Sequence, residues 1–301
     1  MNINELNNEQ RRQYIDFRQI ADALYDAKRD YRHSYRGSMR WLTRGGRDYF
    51  HRKKGNVEKS LGVRSRETET IYDEFLKGRE KLRTRIEGFE NRIQAMAPVN
   101  RALGLGRVPR LPSKIIRSLD QAGLMGSHLL LVGTSSLWGY EISAGILSTS
   151  DLVATIDTDF LGDVRNSVRL LRIKEDNRNI LKLLKQVDGT FAKRSELGYR
   201  AMNNTGFAVD LIRAQDKMFL LENPKKDSTS NSKSDLQAAP IEGLQWLINS
   251  PKFFAQCIGE DGLPVPLLTI DPRIFALHKA WVCNQDSRDP IKRKEIWSRR
   301  D

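Results

Sequence analysis

The sequence predicts an α/β fold: a mixed sheet flanked by helices, preceded by a basic, mainly helical N-terminal subdomain and followed by a C-terminal helical segment. Three observations carry this expectation. Apolar residues recur at helical spacing over two long stretches of the first third, strand-length runs alternate with helical patterns in the middle, and positive charge gathers at the front. The 301 residues can bury more than one core, and they read as three segments. Residues 1–110 form the basic subdomain, 111–222 the α/β core, and 223–301 a polar loop with strands and helices that complete it.

In the first third, Tyr14, Phe17, Ile20, Ala21, Leu24 and Tyr25 share one helix face, and Tyr31 falls two turns beyond Leu24. Ile71, Phe75, Leu82, Ile86, Phe89, Ile93 and Met96 repeat the pattern, predicting a second helix. Between them, Arg36 to Gly55 interleaves basic residues with Trp41, Tyr49, Phe50 and His51. Such a stretch suits a surface that stacks on bases and neutralises phosphates. It equally suits a β-hairpin with its aromatics inward and its charges solvated, which is the favoured reading. Ala97 to Ser113, rich in Pro and Gly, is expected to break the second helix and to act as a connector.

A helix from Pro112 to Ala122 is expected next, then a strand at His128 to Gly133, a short helix, and a strand at Val153 to Leu161 whose residues alternate. A basic amphipathic helix follows over Val164 to Val187. Two strand candidates, Phe191 to Met202 and Gly206 to Arg213, meet at the turn signal Asn203–Asn204. Asn223 to Pro240 is polar and predicts a mobile loop. Strands at Phe253 to Ile258 and Val265 to Ile270 lead into a helix opening on Asp271–Pro272, a capping residue followed by proline in the first turn.

Charge narrows the partners. Lys and Arg number 51 against 38 Asp and Glu, and 25 against 15 of these fall in residues 1–110. A basic region favours phosphate-bearing partners through counterion release, and it also serves as a solvated face. No apolar run approaches the roughly 20 residues of a membrane span. The N-terminus lacks a secretory pattern, and two cysteines make no disulfide framework. No membrane partner and a cytoplasmic setting are therefore expected. Gly104 and Gly106 follow no strand and run into Pro109, so they are not a dinucleotide loop, and no GxxxxGK[ST] loop occurs.

Three carboxylates remain. Asp157 and Asp159 lie two apart on a predicted strand, so they share a face, and their repulsion calls for a cation between them. Mg²⁺ is held in this way, with substrate phosphates completing its shell. Asp210, on the later strand, can add a third ligand. Gly133 closes an apolar strand, and Thr134, Ser135 and Ser136 follow at the head of a helix, offering N–H groups and hydroxyls to a phosphate. Trp138, Tyr140, Trp246 and His278 read as structural.

This arrangement resembles the DNA polymerase β-like nucleotidyltransferase superfamily: a strand-borne Gly-Ser/Thr turn, an Asp-x-Asp strand, and a third Asp on a later strand. Within it, the chain is similar to a bacterial family of nucleotidyltransferase-fold proteins. The similarity runs through Gly133 to Gly145, Thr155 to Asp159, His278–Lys279 and Arg288 to Arg293, and it extends to RGGRDYFHR in the N-terminal region. Thr134 stands where the superfamily commonly has Ser, and the chain ends at WSRRD where the resemblance predicts that the last helix continues.

The resemblance implies Asp157, Asp159 and Asp210 as catalytic and metal ligands for two Mg²⁺ ions, with Mn²⁺ as an alternative. It implies a nucleoside triphosphate substrate whose terminal phosphates sit at the Gly133 turn, with Gly133, Thr134, Ser135, Ser136 and Lys279 binding nucleotide. The nucleoside monophosphate then passes to an acceptor hydroxyl of RNA or protein. Arg40, Arg44 and Arg47 in the basic third, and Arg288 and Lys292 near the end, are candidates for substrate contact. Lys279 and the Arg288 to Arg293 run either close over triphosphate or solvate the final helix. A non-catalytic nucleic-acid-binding or interaction protein on the same fold is the alternative.

Overall fold

The computed structural model describes residues 3–55, 57–148, 157–163, 179–194, 198–215 and 235–285. The chain divides into two compact units, Arg12–Ala102 on one hand and Met1–Arg11 with Leu103–Asp301 on the other.

Two long helices and a small sheet build the first unit. Helix α1 (Asn8–Ser34) opens on reciprocal side-chain caps between Asn7 and Gln10, and it buries Tyr14, Phe17, Ile20, Ala21 and Leu24 of the expected stripe, and Ala27 besides, while Tyr25 and Tyr31 are half-buried. Helix α2 (Arg66–Ala102) buries Phe75 and Ile93 but leaves Ile71 exposed. It also runs straight through Pro98, so the connector begins at Leu103 and not at Ala97. A proline inside a helix costs about 3 kcal/mol. Burial of Ile93, Ala97 and Asn100 around it, with Gln13 Nε2 donating to Asn100 Oδ1 at 2.8 Å, offsets that cost.

Strands β2 (Ser38–Arg44), β3 (Arg47–Lys54) and β4 (Val57–Val63) form an antiparallel sheet. Gly45 and Gly46, both at positive φ, make the two-residue turn between β2 and β3. The register pairs Trp41 with Phe50, and both rings pack on Tyr72. On the opposite face the pairs are Arg44 with Arg47, Leu42 with Tyr49, Arg40 with His51 and Ser38 with Lys53. Two aromatics thus go inward as the hairpin reading expects, while Tyr49 shares the outer face with the basic residues.

The second unit is a mixed α/β fold, as the sequence predicts. Its elements are β1 (Ile3–Glu5), α3 (Arg110–Gln121), β5 (Leu129–Val132), a 3-10 turn (Gly133–Ser136), α4 (Leu137–Ala144), β6 (Ile146–Ser148) and β7 (Asp157–Gly162). Then come α5 (Ile180–Val187), β8 (Ala192–Lys193), β9 (Arg200–Met202), β10 (Ala208–Ala214), β11 (Ala239–Ile241), α6 (Gln245–Asn249), β12 (Lys252–Ile258), β13 (Pro264–Ile270) and α7 (Pro272–Cys283). The sheet order is β5-β7-β10-β9-β8, with β11 also on β10. β7 and β10 are parallel, while β5 and β9 run antiparallel to their neighbours. β12 and β13 form a hairpin, and Asp271 caps α7 by accepting from the Arg273 N–H.

Several expectations change in detail. The long strand expected at Phe191 to Met202 is two short strands, β8 and β9, paired with each other, because Phe191 to Met202 contains Gly198 at positive φ, where the chain departs from extended geometry. The helix expected over Val164 to Val187 is described only from Ile180, and residues 153–156 of the expected strand lie outside the described residues. So does most of the predicted loop from Asn223, whose end at Ala239–Pro240 enters β11. The β1–β6 pair was not anticipated. Among the described residues, no helix is long and apolar enough to cross a membrane.

Candidate active site

Sheet register assembles the site. Val132 on β5, Asp159 on β7, Asp210 on β10 and Arg200 on β9 are successive register partners, so their side chains leave one face of the sheet in a row. Asp157, two residues before Asp159, points to the same face. Two residues further along, that face carries Leu130, Leu161 and Ile212, which join a core with Leu244, Leu247 and Ile270. The acids stand where the apolar face ends.

A cavity of about 770 Å³ opens there, lined by Gly133, Asp159, Asp210, Arg200 and Lys279, with Phe275, His278 and Trp281 on its wall. Gly133 is required twice over. Its φ is +73°, and a Cβ at this position would meet Asp159 Oδ2 at 2.5 Å. The carboxylate is seated against the glycine backbone. Gly133→Ala is therefore expected to lower stability by about 1–2 kcal/mol from the backbone alone and to displace the Asp159 carboxylate. Urea unfolding checks the first effect, and the titration of the Asp159 carboxyl followed by NMR checks the second. Unchanged values in both would contradict this account of the turn.

The electrostatics are unbalanced at Asp159. Burial, with the neighbouring charges of Asp157 and Asp210, pushes its carboxyl up to about 6, against a smaller opposing pull from Lys279 and Arg200. Asp210 is only 7% exposed and is gripped by a guanidinium fork: Arg200 Nε donates to Oδ1 at 2.7 Å and Nη2 to Oδ2 at 2.6 Å. That bond raises the Arg200 pKa far above its ordinary value. Lys279 Nζ lies 5.4 Å from the centre of the Phe275 ring.

Of the residues expected from the sequence, the structure brings Gly133, Asp159, Asp210 and Lys279 onto one cavity, with Asp157 close enough to act on Asp159 through its charge. Ser135 and Ser136 are buried, and the Ser136 hydroxyl accepts from Thr269 Oγ1 at 2.8 Å. Successive side chains of a 3-10 turn rotate by about 120°. Only the start of the turn faces the cavity, and neither serine lines it. Thr134 is half-buried and is likewise not among the lining residues. Arg40, Arg44 and Arg47 lie on the sheet of the other unit, where Arg40 pairs with Glu58 at 2.9 Å. Arg288 and Lys292 lie outside the described residues.

His278 and Arg200 were not expected at the site. His278, read as structural, lines the cavity and stands between Trp246 and Trp281, with ring centres 5.6 and 5.9 Å away. Arg200 carried a usable signal: counting outward from the turn pairs Met202 with Ala208, Ala201 with Val209 and Arg200 with Asp210. The turn fixes this register because the Asn203 side chain accepts from the N–H groups of Thr205 and Phe207.

A family model described as nucleotidyltransferase matches residues 110–295, a span that contains every residue of this cavity. No curated protein and no solved structure matches the chain.

Proposed function

The chain belongs to the nucleotidyltransferase family, and from that premise we propose that it moves a nucleoside monophosphate from a nucleoside triphosphate to an acceptor hydroxyl, with release of pyrophosphate and dependence on Mg²⁺. One observation supports this most: two carboxylates in register on adjacent strands, one of them held against a glycine turn and driven up to about 6 by burial together with neighbouring negative charge. Such a pair suits a hard cation, since a cation removes the repulsion that the fold maintains. Asp157, Asp159 and Asp210 would hold Mg²⁺, with Mn²⁺ as an alternative. When bound, the ion would neutralise charge on the attacking and leaving oxygens. Among the described residues, no three His, Cys, Asp or Glu side chains are arranged to hold a metal ion, and the Asp210 carboxylate is turned to Arg200, so binding the ion would require these side chains to move.

The chain's own groups then have separate tasks. Lys279 presents a cation to the phosphates from α7, and the Gly133 turn lets a phosphate approach the backbone without a side chain in the way. Asp210 orients the acceptor hydroxyl. Phe275 and Trp281 give the wall an apolar surface beside the acids. The assay is incubation with each α-labelled nucleoside triphosphate, Mg²⁺, and RNA or protein acceptors. Label in an acceptor supports the reading, and its absence with every nucleotide and acceptor counts against it.

RNA is the acceptor that the first unit favours. On the outer face of its sheet, Arg44 and Arg47 neighbour the Leu42–Tyr49 pair, and Lys53 lies farther along the same face beyond Arg40 and His51, which sets phosphate-binding groups on one face with an aromatic ring. Reversing Arg44, Arg47 and Lys53 to Glu is expected to weaken single-stranded RNA binding and to flatten the slope of log affinity against log salt by roughly 2. Fluorescence anisotropy from low to moderate salt measures both. Unchanged affinity at low salt would return this face to a purely solvated role.

A further inference from the structure

We propose that Arg200 is a phosphate-binding arginine that occupies Asp210 while the cavity is empty and passes to the nucleotide when a divalent cation takes its place on the carboxylate. The inference rests on the metal-dependent reading above and adds to it a residue that competes with the metal.

Four observations carry it. The Arg200–Asp210 contact is a two-pronged fork at 2.6 and 2.7 Å, so both oxygens of the carboxylate are taken. Each oxygen keeps a second lone pair, but a metal there would stand against the guanidinium charge, so the two cations compete for the carboxylate. The partners are unequally placed: the Asp210 side chain is 9% exposed and that of Arg200 38%, so the arginine can swing toward the cavity while the acid cannot leave. A buried carboxylate without a countercharge is costly, which gives Arg200 a reason to be there in the empty site.

The backbone beneath both is pinned by the β9–β10 register and the Asn203 turn, so exchange needs only side-chain rotation. Finally, Arg200 lines the same cavity as Gly133 and Lys279, where triphosphate is expected. A guanidinium fork matches phosphate oxygens as well as carboxylate oxygens. Once a divalent cation sits among the acids, like-charge repulsion drives Arg200 away from Asp210, and the nearest new anion is the nucleotide.

The exchange predicts opposite movements of two affinities in one variant. The full chain is compared as wild type, Arg200→Gln and Arg200→Lys. Mn²⁺ alone is titrated by electron paramagnetic resonance, followed by Mn²⁺ with an α,β-methylene nucleoside triphosphate by calorimetry, with thermal unfolding to confirm that each protein is folded. Arg200→Gln should bind Mn²⁺ on the order of tenfold more tightly, the scale on which a neighbouring cation shifts a carboxylate, and should bind the nucleotide complex about tenfold more weakly. Arg200→Lys, a point charge without a fork, should fall between on both; if Arg200→Gln fails to fold, this variant carries the test. A structural role alone would not tighten Mn²⁺ binding. Equal Mn²⁺ affinity in wild type and folded variants, or undiminished nucleotide affinity, overturns the proposal and leaves the metal-dependent reading intact. No Mn²⁺ binding by any of the three overturns that reading as well.

Discussion

Asp159→Asn is expected to cut nucleotide transfer on the order of a thousandfold or more while making the metal-free protein more stable above pH 6. The loss follows because the carboxylate beside Gly133 is buried beside the charges of Asp157 and Asp210, a repulsion that a bound cation would relieve. The gain follows from the raised carboxyl, at about 6 in the folded chain against an ordinary 3.8. Below pH 3.8 the group is protonated in both the folded and the unfolded chain and does not bear on stability. Between 3.8 and 6 the unfolded chain ionises first, so rising pH destabilises the fold, by a total on the order of 2–3 kcal/mol once the pH exceeds 6. Asparagine removes that loss. Urea unfolding in chelator from pH 4 to 8 should show the two proteins converging at low pH and the variant ahead at high pH. A variant less stable than wild type at pH 7.5 would contradict the account of strain at Asp159.

Divalent cation and nucleotide are expected to stabilise the wild type strongly and Asp159→Asn little. With the metal–nucleotide complex at about 100 times its dissociation constant, mass action gives about 2.7 kcal/mol. Chelation should abolish both this stabilisation and transfer, and Mg²⁺ or Mn²⁺ should restore both. Thermal unfolding with and without chelator reads the first, and pyrophosphate release reads the second. Stabilisation by nucleotide that survives chelation in wild type and variant alike would detach binding from the three acids.

The site was legible in the sequence where it rests on local rules. A two-residue spacing on a strand places Asp157 and Asp159 on one face whatever surrounds it, and the strand at Leu129–Val132 ending in Gly133 reads directly as a turn. The stripe from Tyr14 to Leu24 is buried as its period implies. What escaped depends on partners distant in the chain. Ser136 looks like a phosphate donor until the packing of the 3-10 turn buries it away from the cavity, where its hydroxyl accepts from Thr269 of β13. Pro98 looks like a helix end until packing of the residues around it holds the helix together. The β1–β6 pair joins residues more than a hundred positions apart through three-residue strands too short to register as a pattern. Arg200 lay within reach, since the Asn203 turn sets a register that can be counted. Periodicity reports which face a residue takes, whereas the neighbour it meets across strands requires the pairing.

Transfer from an α-labelled nucleoside triphosphate, compared between wild type and Asp159→Asn at equal folded fraction with Mg²⁺ present, tests most directly whether this cavity carries the chemistry. The account predicts labelled acceptor and released pyrophosphate from the wild type and neither above background from the variant. Equal label and equal pyrophosphate from both proteins would contradict it.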